Sequence, residues 1–527
     1  MNAPATPRPG HRLWLPFSIG LLAVLSVIVV RLRPEMDSNF KAWLTSAIVL
    51  LATLISLIWF LFLSRFPWRT RLLAFAGLLV LAFGLSKTLK VNGTVDGTGL
   101  PKLVWVWTAK KTQDFSQIKT VTTDGVAAIA LPKSDIPDVP QFLGPNRDGV
   151  IRNARLGRDW NAHPPKELWR QPIGEGWSAF AVVNGLAYTQ EQRDDEELVT
   201  CYDLLTGRLV WTHANKTRFS EWQGGDGPRA TPTVDRGYVF TQGATGILDC
   251  LDAVTGKKIW SRDVLKENKL DNITWGLSAS PLVFEDTVVV TGGNNDRATV
   301  QAYHRVTGEP LWQAGKDKAS YASPLLATLA GKRIILSSNS ATLTGHDPVT
   351  GAVLLEHAWG SDKWPKAAQP LVLEGDRLFL SAGYGMGCQM LQIKAGADGK
   401  LEATELWKSL RMKTQFNNVS LRDGFIYGLD DGQLACLNAA TGERQWKTGR
   451  YGSGQSLLAD DLMIVQSEPG PVVLVEVKPE SGREVGRLDA LKAKTWNNPT
   501  LAGRYLLVRN SEEVVCYELP LEATAGK

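Results

Sequence analysis

The chain is poor in the residues that most often bind metals or act as nucleophiles. Six histidines and five cysteines are scattered through 527 residues. Neither H-E-x-x-H nor C-x-x-C occurs, so the spacings that mark a zinc site are missing. No two cysteines are adjacent, and the odd count argues against a complete disulfide framework. A basic excess is also lacking where a nucleic-acid partner would need it. Residues 1–87 hold 9 Lys/Arg against 2 Asp/Glu, leaving 49 against 51 for the rest. The net charge of +5 therefore belongs to the N-terminal stretch. Nothing remains in the larger part to neutralise phosphates, which excludes a nucleic-acid partner.

Long apolar runs are abundant by contrast, but only before residue 90. They cover 13–30, 43–63 and 72–85. The third is short, yet Phe66, Trp68 and Leu89 extend it while Arg71 and Lys87 reach for the headgroups. Arg31 and Arg33 follow the first run with no small-residue cleavage site, so it reads as an anchor and not as a removed signal peptide. Residues 1–91 are expected to form a membrane anchor with spans at about 13–30, 43–63 and 69–89. Arg8 and Arg12, then Arg65, Arg69 and Arg71, put slightly more positive charge on one side. That bias predicts an N-terminus inside and everything after Leu89 outside, in the periplasm of a bacterial inner membrane.

The remainder repeats itself. "CYDLLTGRLVW" (201–211), "CLDAVTGKKIW" (250–260), "AYHRVTGEPLW" (302–312) and "CLNAATGERQW" (436–446) share D-x-x-T-G-x-x-x-W. Anchors at Trp169, Trp211, Trp260, Trp312, Leu355, Trp407, Trp446 and Gly486 recur every 39 to 52 residues, the length of a four-stranded propeller blade. Period-two strands such as "SPLVFED" and "TVVVTGG" precede each turn. In the turn, Asp accepts backbone N–H groups, Gly takes positive φ, and Trp covers the joint with the next blade. The last unit ends without its W strand, and "KELWRQPI" (166–173) supplies it from the other end. The expected fold is all-β, an eight-bladed propeller of four-stranded antiparallel blades over 166–519. A lead-in at 92–165 is expected to cover one face, and 520–527 forms a tail.

These residues resemble the PQQ-type propeller repeat. Quinoprotein alcohol dehydrogenases share it with the propeller lipoprotein of the outer-membrane β-barrel assembly machinery. "PQFLGPNRDGV" (140–150) is similar to the lead-in of membrane-anchored members. The dehydrogenase resemblance implies PQQ with Ca²⁺ as the cofactor to test. The chain departs from that pattern in having no Cys-Cys pair and no motif that matches the calcium ligands or the catalytic aspartate. It departs from the lipoprotein in having no cysteine before Cys201 to carry a lipid. Cys201, Cys250, Cys436 and Cys516 share one slot on different blades and are expected to be buried thiols. "GYGMGC" (383–388) reads as a blade hairpin, and "QRDDEE" (192–197) as a solvated loop.

The channel mouth, where the innermost strands begin, reads either as a ligand site or as the entry of a water-filled channel whose aromatics pack between blades. Aligning the blades brings Trp177, Arg229, Trp275, Tyr321, Phe416, Asn417, Trp496 and Asn497 there, with Gln369, Asn418, Gln455 and Asn498 close by. Aromatic faces mixed with amides suit a small planar or sugar ligand or an extended peptide. Arg229 or Lys366 would be the groups to hold quinone carboxylates. Two functions follow. One is a membrane-tethered binding or scaffold module for a periplasmic protein or extracellular ligand, with no metal. The other is a PQQ-dependent membrane dehydrogenase acting on an alcohol or sugar.

Overall fold

The computed structural model describes residues 13–108, 114–115 and 134–522. The last part of the expected tail and most of the stretch from 109 to 133 lie outside the described residues. The chain divides into two compact units, Met1–Lys111 and Thr112–Lys527.

In the first unit, helix α1 spans Trp14–Arg31, α2 Ser38–Ile58 and α3 Trp68–Thr88. A π turn, Trp59–Leu63, prolongs α2. At ~1.5 Å per residue all three are long enough for a hydrocarbon core ~30 Å thick, and their composition is apolar enough to cross it. Arg71, expected to reach for the headgroups, instead folds back over the end of α2. Its guanidinium donates to the carbonyls of Leu61 (3.0 Å), Ser64 and Phe66 (2.9 Å). Those carbonyls close a helix end and have no intrahelical donor, so the arginine caps them. A two-stranded hairpin, Leu89–Thr94 with Pro101–Trp105, continues directly from α3.

The second unit is a wheel of eight antiparallel sheets, each with four strands in simple up-and-down order. Blades one to eight cover 181–215, 233–263, 282–314, 325–358, 371–409, 420–448, 455–488 and 500–518. Blade eight takes its outer strand from Lys166–Pro172, which pairs with Glu513–Glu518 in the register Trp169↔Cys516. Closure in this way leaves no open sheet edge between the chain's two ends.

The repeated phrase is the hinge pin between blades. Asp203 Oδ1 accepts the N–H of Thr206 at 2.9 Å and its hydroxyl at 2.7 Å, and Asp252 and Asp347 do the same for Thr255 and Thr350. The turn glycine then receives the tryptophan of the preceding blade. A Cβ on Gly207 would come within 2.5 Å of the Trp169 ring, and Gly256, Gly308, Gly351 and Gly442 meet Trp211, Trp260, Trp312 and Trp407 likewise. Each indole N–H finds a carbonyl on that next blade. Trp169 donates to Leu204 (2.8 Å), Trp211 to Ala253 (3.1 Å), Trp260 to Arg305 (2.9 Å) and Trp407 to Ala439 (3.1 Å). The turn accepts only glycine because the indole occupies the space of a side chain.

Opposite the tryptophan stands the cysteine slot: Cys201↔Trp211, Cys250↔Trp260, Cys436↔Trp446. All five cysteines are buried and free. "GYGMGC" turns between the strands Arg377–Ala382 and Gly387–Ala395 as a blade hairpin. "QRDDEE" departs from expectation. It is the tight end of the hairpin Leu186–Arg193/Glu196–Asp203, and only Asp194 and Asp195 face solvent fully. Strand alternation carries Gln192 and Glu197 into the interior.

Segment 139–156 crosses the wheel blade by blade. Val139 bridges Val182 of blade one, and Pro140 accepts the N–H of Val234 of blade two. Arg147 lies buried between blades three and four, where it donates to the carbonyls of Ser280 (3.1 Å), Pro281 (3.0 Å) and Pro324 (3.2 Å). Gln369 of blade five donates to the Arg147 carbonyl, and Ser420 of blade six to that of Gly149. Val150–Ile151 then adds a parallel strand to blade seven. Val182 and Val234 are the central residues of the innermost strands Ala181–Val183 and Thr233–Asp235.

Candidate functional site

The residues expected at the channel mouth lie three to seven positions before the innermost strands begin. Three of the expected residues come together there. The ring of Trp496 lies 4.9 Å from Trp177 and 5.0 Å from Phe416, centroid to centroid, both tilted. Lys494 stands 4.2 Å above Trp496 and 5.7 Å from Trp177. Trp496 donates its N–H to Glu468 Oε1 at 2.7 Å, and Trp177 to the carbonyl of Gly224 at 2.6 Å. Each indole is therefore fixed by one hydrogen bond and leaves part of its body exposed.

A second pair, Trp275 and Tyr321, sits 5.5 Å apart, with the Trp275 backbone N–H on the tyrosine hydroxyl (3.3 Å). The loop joining blades one and two lies between the two aromatic groups. Its residue Gly224 accepts from Trp177, and a Cβ there would stand 3.1 Å from the Trp275 ring. The glycine-rich "WQGGDG" carries this contact, and a side chain at position 224 would separate the groups.

Arg229 is spent on that same loop. Its guanidinium donates to the carbonyls of Gly225 (2.7 Å) and Gly227 and lies 4.5 Å from the Phe219 ring. Burial pulls its pKa down to about 10, against the opposing pull of Glu197, Glu221 and Asp226. Lys366 is likewise consumed. Its buried ammonium donates to the carbonyls of Ser340, Ser361 (2.9 Å) and Trp364 (3.4 Å), and desolvation lowers its pKa to about 8. Neither cation is aimed at a ligand.

The amides behave as staples. Asn497 donates to the carbonyls of Gly176 (3.2 Å) and Ser178 (2.8 Å), and Asn417 to that of Leu429 (3.2 Å). Gln455 donates to the carbonyls of Phe416 and Trp496, both at 3.0 Å, so it ties blades six and eight across blade seven. Gln369 donates to Arg147, and its own N–H goes to Asn418. Asn417, Asn497, Asn498, Gln455 and Gln369 each keep a buried amide oxygen without a protein partner. Buried acceptors of this kind are what channel water satisfies.

Glu197 has no counterpart in the sequence reading. It is buried near the mouth and accepts from the Ala244 N–H and the Thr245 hydroxyl, both at 3.2 Å. Burial pushes its pKa up to about 7, and those hydrogen bonds and Arg229 only moderate the rise. Among the described residues, no three His, Cys, Asp or Glu side chains are grouped closely enough to hold a metal ion.

With this geometry in hand, the relationships to known proteins can be placed. Residues 195–448 match the family profile described as "Outer membrane protein assembly factor BamB". The wheel is similar to PQQ-type repeat propellers. BamB from Moraxella catarrhalis superposes with a TM-score of 0.50 at 16% identity, over 67% of this chain and 100% of that one. The quinohemoprotein alcohol dehydrogenase from Comamonas testosteroni gives 0.54 at 12% identity, over 74% and 82%. Identities this low speak to fold alone. In sequence, quinohemoprotein alcohol dehydrogenase ADH-IIG of Pseudomonas putida is 28% identical over 138 residues. That match spans 25% of this chain and 18% of the dehydrogenase.

A bound quinone would need cations for its carboxylates and oxygen ligands for a calcium ion. Arg229 and Lys366 are committed to backbone carbonyls, and no carboxylate group is assembled among the described residues. The two cations expected to hold a quinone are therefore engaged elsewhere.

Proposed function

We propose that the protein is a membrane-tethered binding or scaffold module. In this reading the three helices anchor it in a bacterial inner membrane, and the propeller presents its open mouth in the periplasm to a protein segment or an extracellular ligand. The observation that carries the reading is the state of the mouth. Arg229 and Lys366 are engaged by backbone carbonyls, while Trp177, Phe416, Trp496, Trp275 and Tyr321 form an aromatic rim. Such a rim offers area and flat faces for a planar or extended ligand. The segment shared with the Pseudomonas putida dehydrogenase favours a second reading, a PQQ-dependent oxidation of an alcohol or sugar.

Face-specific photo-crosslinking in intact cells tests the first reading. A benzophenone amino acid placed at Phe416 faces the mouth, and one at Val349, in a far-side turn, faces away. Discrete adducts from position 416 and none from 349 are expected. Adducts from 349 alone, or from neither, would overturn the proposal.

A further inference from the structure

The hairpin that follows α3 is amphipathic, and its apolar face is not covered by any of the described residues. Leu89 pairs with Trp105 and Val91 with Leu103, so these four side chains share one face of the ribbon. Lys90, opposite Val104, and Lys102 point the other way. The apolar face is open: Val91 is 50% exposed, Leu103 58% and Trp105 46%. Trp107, 67% exposed, stacks on Trp105 with centroids 5.1 Å apart and planes 6° from parallel. An isolated two-stranded ribbon is marginal in water, and a contiguous apolar patch of this kind needs a partner.

The hairpin is held at both ends to the same end of the helix unit. At its base, the Val106 N–H donates to the carbonyl of Thr88, the last residue of α3, at 2.8 Å. At its tip, Gly99 takes a φ of 79° beside Trp43, five residues into α2, and a Cβ there would meet the ring at 3.7 Å. The C-terminus of α3 and the N-terminus of α2 emerge on one side of any membrane the three helices cross. A ribbon fixed to both lies across that end, at the depth of the headgroups, and cannot stand away in water.

We propose that this hairpin is a lipid-interface element. Leu89, Val91, Leu103, Trp105 and Trp107 insert into the boundary between acyl chains and headgroups, while Lys90 and Lys102 turn toward phosphates and water. Tryptophan is the side chain best suited to that boundary, with a large apolar body and one N–H for the polar layer. The inference rests on the three helices crossing the bilayer and is independent of what the propeller binds. It fixes the start of the linker to the membrane surface and shortens the tether by the length of the hairpin.

The test uses full-length protein in nanodiscs of phosphatidylcholine and phosphatidylglycerol. All five native cysteines are buried, so a nitroxide attaches selectively to an introduced one. Leu103→Cys and Val91→Cys report one face, Lys102→Cys and Lys90→Cys the other. Collision with oxygen relative to a water-soluble nickel chelate is expected to be several-fold higher at 91 and 103 than at 90 and 102. Equal nickel access on both faces would overturn the proposal by placing the ribbon in water. Shielding of 91 and 103 from both reagents would also overturn it, because protein would then be the cover. Two sites on each face keep the result readable if one substitution unfolds the ribbon.

Discussion

Trp160 packs its ring onto Gly486, where a Cβ would come within 2.7 Å of the indole. Gly486 is the anchor position of blade seven, the one place in the repeat where the expected tryptophan is replaced by nothing at all. The lead-in segment fills it from outside. Trp160 is buried in the core shared by blades seven and eight, with Leu474, Leu491 and Leu519. Trp160→Ala should therefore cost about 3–5 kcal/mol, as for other buried aromatics. Trp222→Ala, at an exposed side chain, should cost little. Thermal unfolding of the two variants in detergent micelles checks the contrast.

Arg147 should behave as an axle. Truncating it would strand the carbonyls of Ser280, Pro281 and Pro324 and loosen segment 139–156 from blades three and four. Arg147→Ala is expected to lose about 3 kcal/mol or more, since buried acceptors would lose a charged donor. Limited proteolysis should then cut within 139–156, where the wild-type protein resists.

Glu197 predicts a pH dependence. Its carboxyl is raised from the ordinary 4.5 to about 7 in the fold. The folded state therefore holds a proton that the unfolded state releases between those values. That contribution is complete below pH 4.5 and is lost as pH rises through 7, about 3 kcal/mol at ~1.36 kcal/mol per unit. Unfolding temperatures at pH 5 and pH 8 should differ for the wild type. The difference should shrink in Glu197→Gln, with the gain at pH 8.

The thiols should be silent. Burial pushes Cys250, Cys388 and Cys516 up to about 12 and Cys436 to about 11. A thiol reagent should find none in the native protein and all five after denaturation. Prompt reaction of any one in folded protein would contradict the packing described.

Much of the wheel was legible because its joints are written locally. The turn Asp, Thr and Gly and the following Trp lie within one hairpin, so one spacing encodes both the turn and the ring that docks on the next blade. Trp160 was not legible, because it serves blade seven from far outside that blade's own sequence. Arg147 was hidden for a related reason: the axis is made by residues from many blades, and no spacing reports it. The run at 192–197 misled through its charge. A tight hairpin buries alternate residues whatever their polarity, and that burial raises the Glu197 pKa to about 7. At the mouth, Trp177, Phe416 and Trp496 were placed together by simple alignment of the blades. Arg229 and Lys366 hydrogen-bond to carbonyls of the loops that bring them near, contacts that no alignment of blades reports.

The measurement that most directly tests the account is a titration of the full-length protein in detergent micelles with PQQ and Ca²⁺. Tryptophan fluorescence and dye-linked oxidation of alcohols and sugars would be followed together. With Arg229 and Lys366 engaged by backbone carbonyls, the expectation is no saturable quenching at micromolar quinone and no turnover. Stoichiometric quenching accompanied by turnover would contradict it and make the wheel a dehydrogenase.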